Sequence, residues 1–238
     1  MELTPDINIV FKVFGIAINA TIVNTWIIMA VLVATSALVT RKLRPDVPPN
    51  RWRTTLEVIV NGIVGQIAEI TDRRDPRVLY FAGTLFLFIV TANLLTVVPG
   101  FHTPTASLST TAALALSVLI AVPMFGIGSR GLGGYLKSYL EPSFVMLPFN
   151  IISEFSRGIS LAIRLYGNIM SGAVIAVILL GVAPFFFPIL MDVLGLLTGV
   201  IQAYIFAILA TVYISSATAL PVSDDTTAAP TATEKDIA

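Results

Sequence analysis

An arginine lies near the middle of a long apolar stretch of this chain, in the sequence SLAIRLYGN (160–168). Between residues 144 and 219 only four side chains carry a charge: Glu154, Arg157, Arg164 and Asp192. A charge in hydrocarbon costs about 2.5–3.5 kcal/mol on insertion scales, so Arg164 must face water or a partner. The alternatives are that its long side chain reaches an interface, or that it neutralises Glu154 nearby.

Polar side chains share one face of the helix predicted around Arg164. Arg157 lies seven residues before it, and the same face carries three more polar residues: Ser160, Asn168 and Ser171. Arginine stays protonated under ordinary conditions, so Arg164 is suited to be a fixed barrier or the partner of a transient carboxylate. Glu154 lies about 80° off that face and about 15 Å along the axis, which makes it a poor permanent partner. The pattern indicates a partner on another chain.

A second helix face is made of small and polar residues. Asp192, Gly195, Gly199 and Gln202 follow the spacing i, i+3, i+7, i+10, which keeps them on one side of a helix. The two glycines form a GxxxG pattern, which is typical of ordinary close packing between membrane helices. The added acid and amide favour a closely approached functional surface or a water-lined path.

Composition predicts a membrane protein and argues against metal, cofactor and nucleic-acid binding. Of 238 residues, 56% are hydrophobic and 12% charged, half the charged fraction usual for a soluble domain, so a polytopic membrane protein is predicted. The chain has no cysteine and one histidine, His102, so no zinc site and no other cofactor is predicted. The net charge of zero points to no nucleic-acid partner. The GxGxxG at 126–131 follows an apolar span instead of a strand, and is interpreted as a turn.

Apolar runs predict an all-α fold with about five membrane-embedded helices. Three spans are expected near 18–40, 77–98 and 107–128. Prolines 184 and 188 divide the last apolar block into 144–182 and 184–219. Since about 20 residues suffice to cross a membrane, these two helices are predicted to form a long, steeply tilted hairpin. Residues 1–219 are expected to form a single membrane domain.

Basic residues define the orientation. The segment 41–77 carries eight arginines and lysines, and the connection after the third span carries Arg130 and Lys137. The positive-inside rule therefore places the amino terminus outside and both basic loops in the cytoplasm. The first apolar run is expected to be retained, since it is too long for a signal peptide.

Two cytoplasmic segments are predicted outside the spans. The segment 54–72 alternates apolar and polar faces, which predicts an amphipathic helix on the cytoplasmic surface or a short connecting helix packed on other protein. The polar tail, 220–238, is expected to be disordered in the cytoplasm.

The stretches SLAIRLYGNIMSG and IQAYIFAILATVYIS closely resemble subunit a of the F-type ATP synthases, the stator channel subunit of the membrane sector. GTLFLFIVTANLLTVVPGF and PTASLSTTAALAL resemble its second and third spans. The resemblance implies a non-catalytic subunit in the bacterial plasma membrane. It also implies two half-channels that meet a rotating ring of c subunits, and contacts with b-type peripheral stalk subunits, the rest of the complex and the lipid bilayer.

The resemblance assigns roles to particular residues. Arg164 matches the family's essential arginine between the half-channels, Gln202 the glutamine facing it, and Asn168 the asparagine one turn later. Contact with the c-ring is expected at Arg164, Gln202 and the two glycines, Gly195 and Gly199. Further residues are expected along the ion path: Asp192, Glu154, Ser171 and Ser107.

Four positions depart from the family's pattern. The family usually has an acid or histidine where this chain has Ala173, and another where it has Gly195; Ser107 and Ser109 stand where Asp and Asn are common. Asp192 is the acid left for the outer path. A path for protons along serines and water is compatible with these losses, and a sodium path built from oxygen ligands fits them at least as well.

Two other classes of protein are compatible with the apolar pattern. A secondary transporter commonly shows internal repeats, and none is visible between the halves of this chain. A structural membrane anchor of a respiratory complex has no use for a mid-membrane arginine aligned with Gln and Asn. An ion-translocating stator subunit is therefore the favoured function.

Overall fold

The structure is a computed structural model, and it describes residues 9–13, 16–41, 58, 62, 65, 76–98, 101, 103–140, 143–182 and 187–218. Two short strands come first, β1 (Ile9–Val13) and β2 (Ile16–Asn19). Five helices follow: α1 (Ala20–Arg41), α2 (Pro76–Leu94), α3 (Leu108–Leu140), α4 (Met146–Val182) and α5 (Phe187–Thr218). Two 3₁₀ turns, Leu95–Val97 and Pro104–Ala106, lie between α2 and α3.

All five helices are long and apolar enough to cross a membrane, which confirms the predicted all-α membrane architecture. Helices α4 and α5, with 37 and 32 residues, pack against each other. At 1.5 Å per residue they are about 56 and 48 Å long, well beyond the ~30 Å of a hydrocarbon core. Such helices stay in apolar surroundings only if they tilt.

The strands were not predicted. They pair antiparallel, with Ile9 opposite Asn19 and Val13 opposite Ile16. Their sequences, IVFKV and IAIN, are rich in β-branched and aromatic residues, which fit a pleated surface well. This hairpin leads directly into α1 and does not alter the predicted set of five membrane helices.

Two predicted segments fall outside the described residues. Of the amphipathic segment 54–72, the structure describes Val58, Gly62 and Gly65, each helical and exposed. The tail 220–238 lies outside the described residues altogether.

The core lies between α2, α3, α5 and one face of α4. Helix α2 makes its most extensive contact with α5, and α3 with α4. The largest buried apolar side chains come from all of these helices: Ile89, Val118, Leu161, Leu165, Phe206 and Ile214. In the apolar windows of α2, α3 and α5, 33% of residues are buried, against 6% in α4. Helix α4 therefore leaves most of its surface uncovered by the described parts of this chain.

A glycine redirects α3 near its end. The chain stays helical through 126–130, and the turn predicted for this GxGxxG is limited to a change of direction at its last glycine. Gly131 alone departs, with φ 73° and ψ 163°. Beyond it the ring of Tyr135 packs over Gly126, where an added Cβ would lie 2.5 Å from Cε2. In a straight helix nine residues span about 13.5 Å, so residues 132–140 fold back over the end of α3.

We expect Gly131→Ala to destabilise this end of the protein. The backbone conformation at Gly131 is one that residues with a Cβ atom avoid, at a cost of about 1–3 kcal/mol. The measurement is the temperature at which the chain aggregates in isolated membranes. Gly133→Ala is the matched control, because Gly133 is helical with open space around its Cα, and alanine favours a helix there. Equal aggregation temperatures for the two variants would contradict a strained turn at Gly131.

Candidate ion path

Arg164 lies exposed on α4, away from the core. The buried residues of α4 around it are spaced as one helix face: Gly158, Leu161, Ala162 and Leu165. The predicted polar stripe flanks that face, with Arg157, Ser160, Arg164 and Ser171 exposed and Asn168 half-buried. Within the described parts of the chain the Arg164 guanidinium has no hydrogen bond or ion pair. The stripe is therefore a charged surface open to another molecule.

Glu154 is engaged elsewhere. Its Oε2 accepts a hydrogen bond from the hydroxyl of Tyr139, on the segment that folds back beyond Gly131. The alternative in which Glu154 neutralises Arg164 is therefore not realised among the described residues.

One cavity, of about 280 Å³, lies between α4 and α5 at the end of α2. We call it the asparagine cavity. Its polar lining comes from all three helices and the following turn: Asn93, Thr96, Asn168, Asp192 and Thr198. Amide, hydroxyl and carboxylate oxygens are the ligands that hard cations prefer. The cavity can hold water and a small cation.

The two positions at which the resemblance implies a titratable group also line this cavity. Ala173 and Gly195 contribute no polar side chain, and their small size leaves space where longer acids or histidines would project. Asp192 stands one turn from Gly195 on α5. Asp192, the acid predicted for the outer ion path, thus lines the same cavity as Ala173 and Gly195.

The predicted face of α5 divides into an open part and a packed part. Asp192 and Gly195 are exposed, whereas Gly199 and Gln202 are buried. Gly199 lies against Asn93 of α2, close enough that an added Cβ would be 2.7 Å from Nδ2. Gln202 is 7% exposed, and both its Nε2 and the Asn93 Nδ2 lack a hydrogen-bond partner among the described atoms. Buried N–H donors without partners cost free energy, so these two amide groups are candidates to donate hydrogen bonds to water.

A second cavity, of about 250 Å³, opens at the start of α4. We call it the tyrosine cavity. It is lined by charged and polar side chains from α3, α4 and α5: Arg130, Ser138, Tyr139, Asn150, Ser153, Glu154, Arg157 and Ser216. The Arg157 guanidinium lies 5.3 Å from the ring centroid of Tyr213, which holds it by a cation–π contact. A separate narrow void, of about 10 Å³, shares Glu154 and Arg157 with this cavity and is bordered by Leu161 further along α4.

The two cavities are separated along α4 by Arg164. The tyrosine cavity involves α4 residues up to Arg157, and the asparagine cavity begins at Asn168. Arg164 is thus about 10 Å from the first and about 6 Å from the second along the helix axis. A fixed positive charge between two polar cavities is suited to stop a cation from passing directly from one to the other.

The predicted site residues divide into groups. Asn168, Asp192 and Gly195 come together at the asparagine cavity, and Glu154 lies at the tyrosine cavity. Gly199 and Gln202 lie buried beneath the first, and Arg164 and Ser171 lie on the exposed stripe. Ser107 is fully buried before α3, with its hydroxyl 2.6 Å from that of Ser109, and lines neither cavity.

Sequence reasoning missed several residues of both cavities. Asn93 stands alone in the apolar run FLFIVTANLL, and a lone amide in a membrane span is a signal that was available. Tyr139 and Arg130 had no such signal, because they reach Glu154 and its cavity only through the turn at Gly131. Among the described residues no cluster of three His, Cys, Asp or Glu side chains forms a metal site.

Comparison with known proteins gives consistent matches. The family model for the ATP synthase A chain matches residues 22–215. ATP synthase subunit a 2 of Picosynechococcus sp. is 58% identical over 91% of this chain and 93% of its own length. ATP synthase subunit a of Albidiferax ferrireducens is 58% identical, covering 92% of this chain and 94% of the relative. ATP synthase subunit a 1 of Prosthecochloris aestuarii is 56% identical, covering 92% of this chain and 98% of the relative.

We expect Gly199→Ala to disrupt the contact between α2 and α5. The new methyl group would lie 2.7 Å from Asn93 Nδ2 and 2.8 Å from its Cγ, so the amide must move. Overpacking of this kind costs about 1–3 kcal/mol. The measurement is the temperature at which the chain aggregates in isolated membranes. Gly195→Ala is the control, since nothing lies within 4 Å of an added Cβ there. If both variants aggregate at the parental temperature, Asn93 is not held against Gly199.

Proposed function

This chain belongs to the ATP synthase A chain family, and on that premise we propose that it carries ions to and from a rotating ring of c subunits, with Arg164 as an electrostatic gate. It is a non-catalytic, multi-pass membrane subunit of a bacterial ATP synthase. ATP chemistry takes place elsewhere in that complex, so the work of this chain is ion conduction and contact with its neighbours.

The observation that carries the proposal is the position of Arg164. It is exposed on the least covered helix, has no partner among the described residues, and stands between the two cavities. A guanidinium in apolar surroundings is strongly favoured to pair with a carboxylate. A ring of c subunits would supply such carboxylates one after another.

Ion exchange follows from the charge of Arg164. A carboxylate that has bound a cation is neutral and can travel through lipid. Near Arg164 the positive charge favours the free carboxylate, so the cation is released into the adjoining cavity. As the carboxylate moves on, it takes a cation from the other cavity before it re-enters hydrocarbon. The same charge repels cations that would otherwise leak between the cavities.

The charge pattern supports an orientation. The tyrosine cavity adjoins the segment that carries Arg130 and Lys137, which the positive-inside rule places in the cytoplasm. We therefore take it as the cytoplasmic half-channel, and the asparagine cavity as the outer one. Helix α1 exposes most of its apolar surface, including Trp26 and Val33, and this surface suits lipid and the membrane helices of b-type stalk subunits.

The ion carried is a proton or a sodium ion. The asparagine cavity offers amide and hydroxyl oxygens and one carboxylate, Asp192, in place of a chain of titratable groups. Such a lining favours sodium, which is bound by oxygen ligands without titration.

We expect Arg164→Ala to abolish coupled ATP synthesis while the complex still assembles. Arg164 has no partner among the described residues, so its loss leaves no buried charge unpaired in the folded chain. In the working complex the variant would lose the ion pair between Arg164 and a ring carboxylate. If that pair is worth ~3 kcal/mol or more, the rate of coupled ATP synthesis falls by ~100-fold or more. Arg164→Lys should fail nearly as badly, because lysine is a hydrated point donor that can lose its proton.

The measurement is ion-driven ATP synthesis together with passive ion leak in vesicles that hold equal amounts of assembled complex. Ile163→Ala, at the neighbouring exposed position, controls for assembly. Coupled synthesis at the parental rate in Arg164→Ala would refute the gate, and failure of assembly would indicate a structural role.

Removal of the outer carboxylate provides a separate test. Asp192→Asn should raise the external sodium or proton activity needed for half-maximal synthesis by about tenfold, the effect of losing one charged ligand. Asp192→Glu, which keeps the carboxylate, is the control. Titration with sodium at fixed pH also identifies the ion, since a proton path gives no sodium dependence. An unchanged titration in Asp192→Asn would mean that neutral oxygens and water carry the ion alone.

A further inference from the structure

The two carboxylate oxygens of Glu154 differ in their hydrogen bonding in the tyrosine cavity. The hydroxyl of Tyr139 donates to Oε2, while Oε1 is buried without a hydrogen-bond partner among the described atoms. A carboxylate normally accepts several hydrogen bonds when it is buried, because an unsatisfied oxygen costs desolvation free energy. One oxygen of Glu154 is thus held in place and the other is left free.

The position of Tyr139 depends on the turn at Gly131. Residues 132–140 fold back over the end of α3, and Asn150 of α4 donates its amide to the Tyr139 carbonyl oxygen at 3.0 Å. The Tyr135 and Tyr139 hydroxyl oxygens lie 2.8 Å apart. Since the single hydroxyl proton of Tyr139 is used for Glu154, Tyr135 must be the donor to Tyr139. Two tyrosines therefore form a chain of donors that ends on the carboxylate.

We propose that Tyr139 is a positioning residue of the cytoplasmic half-channel, which holds Glu154 by Oε2 so that Oε1 takes up a monovalent cation from the tyrosine cavity. Glu154 borders both this cavity and the narrow void that extends along α4 to Leu161, in the direction of Arg164. In the proposal its carboxylate is the last acidic group of the cavity on the side of Arg164. This role rests on the proposed function, because it assumes that ions pass through this cavity.

The charges around Glu154 suit a site that binds a cation only briefly. Arg130 and Arg157 line the same cavity; from α3, Tyr139 contacts the carboxylate and Tyr135 contacts Tyr139, and from α5 Tyr213 borders the narrow void beside Glu154. The Arg157 guanidinium is held over the Tyr213 ring, and no ion pair joins it to Glu154 among the described residues. Two nearby positive charges weaken cation binding at Glu154 without neutralising it by contact. Conduction requires such weak binding, since an ion held tightly cannot leave.

The hydrogen bond from Tyr139 should also weaken cation binding, because it stabilises the free carboxylate. Its loss should therefore make Glu154 bind a cation more tightly and release it more slowly. The half-saturating cation activity on the cytoplasmic side is the quantity that reports this effect. A purely structural role for Tyr139 would change the amount of assembled complex and leave that activity unchanged.

The experiment is ATP-driven cation uptake into inverted vesicles, whose outer face is the cytoplasmic side, measured with the whole complex and titrated with sodium and with pH. In Tyr139→Phe the half-saturating activity in the outer medium should fall roughly tenfold or more, the effect of one hydrogen bond to a charged group. The dependence on the lumenal ion should be unchanged. Glu154→Gln should lower the maximal rate about tenfold or more.

A double variant and a matched control complete the test. Tyr139→Phe combined with Glu154→Gln should be no slower than Glu154→Gln alone, because the tyrosine acts through the carboxylate. Tyr80→Phe, at a position on α2 that is 70% exposed, should match the parent. An unchanged half-saturating activity in Tyr139→Phe, parental uptake in Glu154→Gln, or additive losses in the double variant would each overturn the proposal. Parental coupling in Arg164→Ala would instead overturn the proposed function, so the two failures are distinguishable.

Discussion

The free-energy cost of an unpaired guanidinium in apolar surroundings is the constraint on which the rest of this structure depends. Arg164 is exposed on α4 and no described part of the chain neutralises it. Under the proposed function the cost is offset in the assembled complex, where a carboxylate of another subunit pairs with the charge. Two consequences follow in the fold: α4 keeps a broad uncovered face, and polar cavities lie on either side of the charge along the helix.

Close packing elsewhere compensates for the helix that is left uncovered. The contact between α2 and α5 is the most extensive in the bundle, and it depends on Gly199, whose missing side chain admits Asn93. Gly126 admits the ring of Tyr135 in the same way at the end of α3. In a membrane, where apolar surface gives little drive for association, such small residues let helices approach and gain dispersion contacts. The glycines thus hold the polar residues of each cavity in position.

The sequence predicts the helices well and the cavities only in part. Long apolar runs specify five helices because the backbone must satisfy its own hydrogen bonds in lipid. Helical spacing likewise places Arg164 and Asn168 on one stripe, since that relation is local to one helix. The contacts of Asn93 with Gly199 and of Tyr139 with Glu154 join different helices, so periodicity gives no information about them. The folding back of residues 132–140 depends on one glycine among several in GIGSRGLGG, and composition does not distinguish which of them leaves the helix.

The spacing of the two cavities has a consequence for how the membrane voltage acts. If water fills both, little of the voltage falls across them, and most of it falls between Arg157 and Asn168. That distance is about 16 Å along α4, roughly half of the ~30 Å hydrocarbon core. The electric field there is therefore about twice the field in the surrounding bilayer. An elementary charge that crosses this gap still gains about 2.3 kcal/mol per 100 mV, but over a shorter path and therefore with a larger force. Under the proposed function, the polar cavities thus concentrate the voltage at the place where a moving carboxylate meets Arg164.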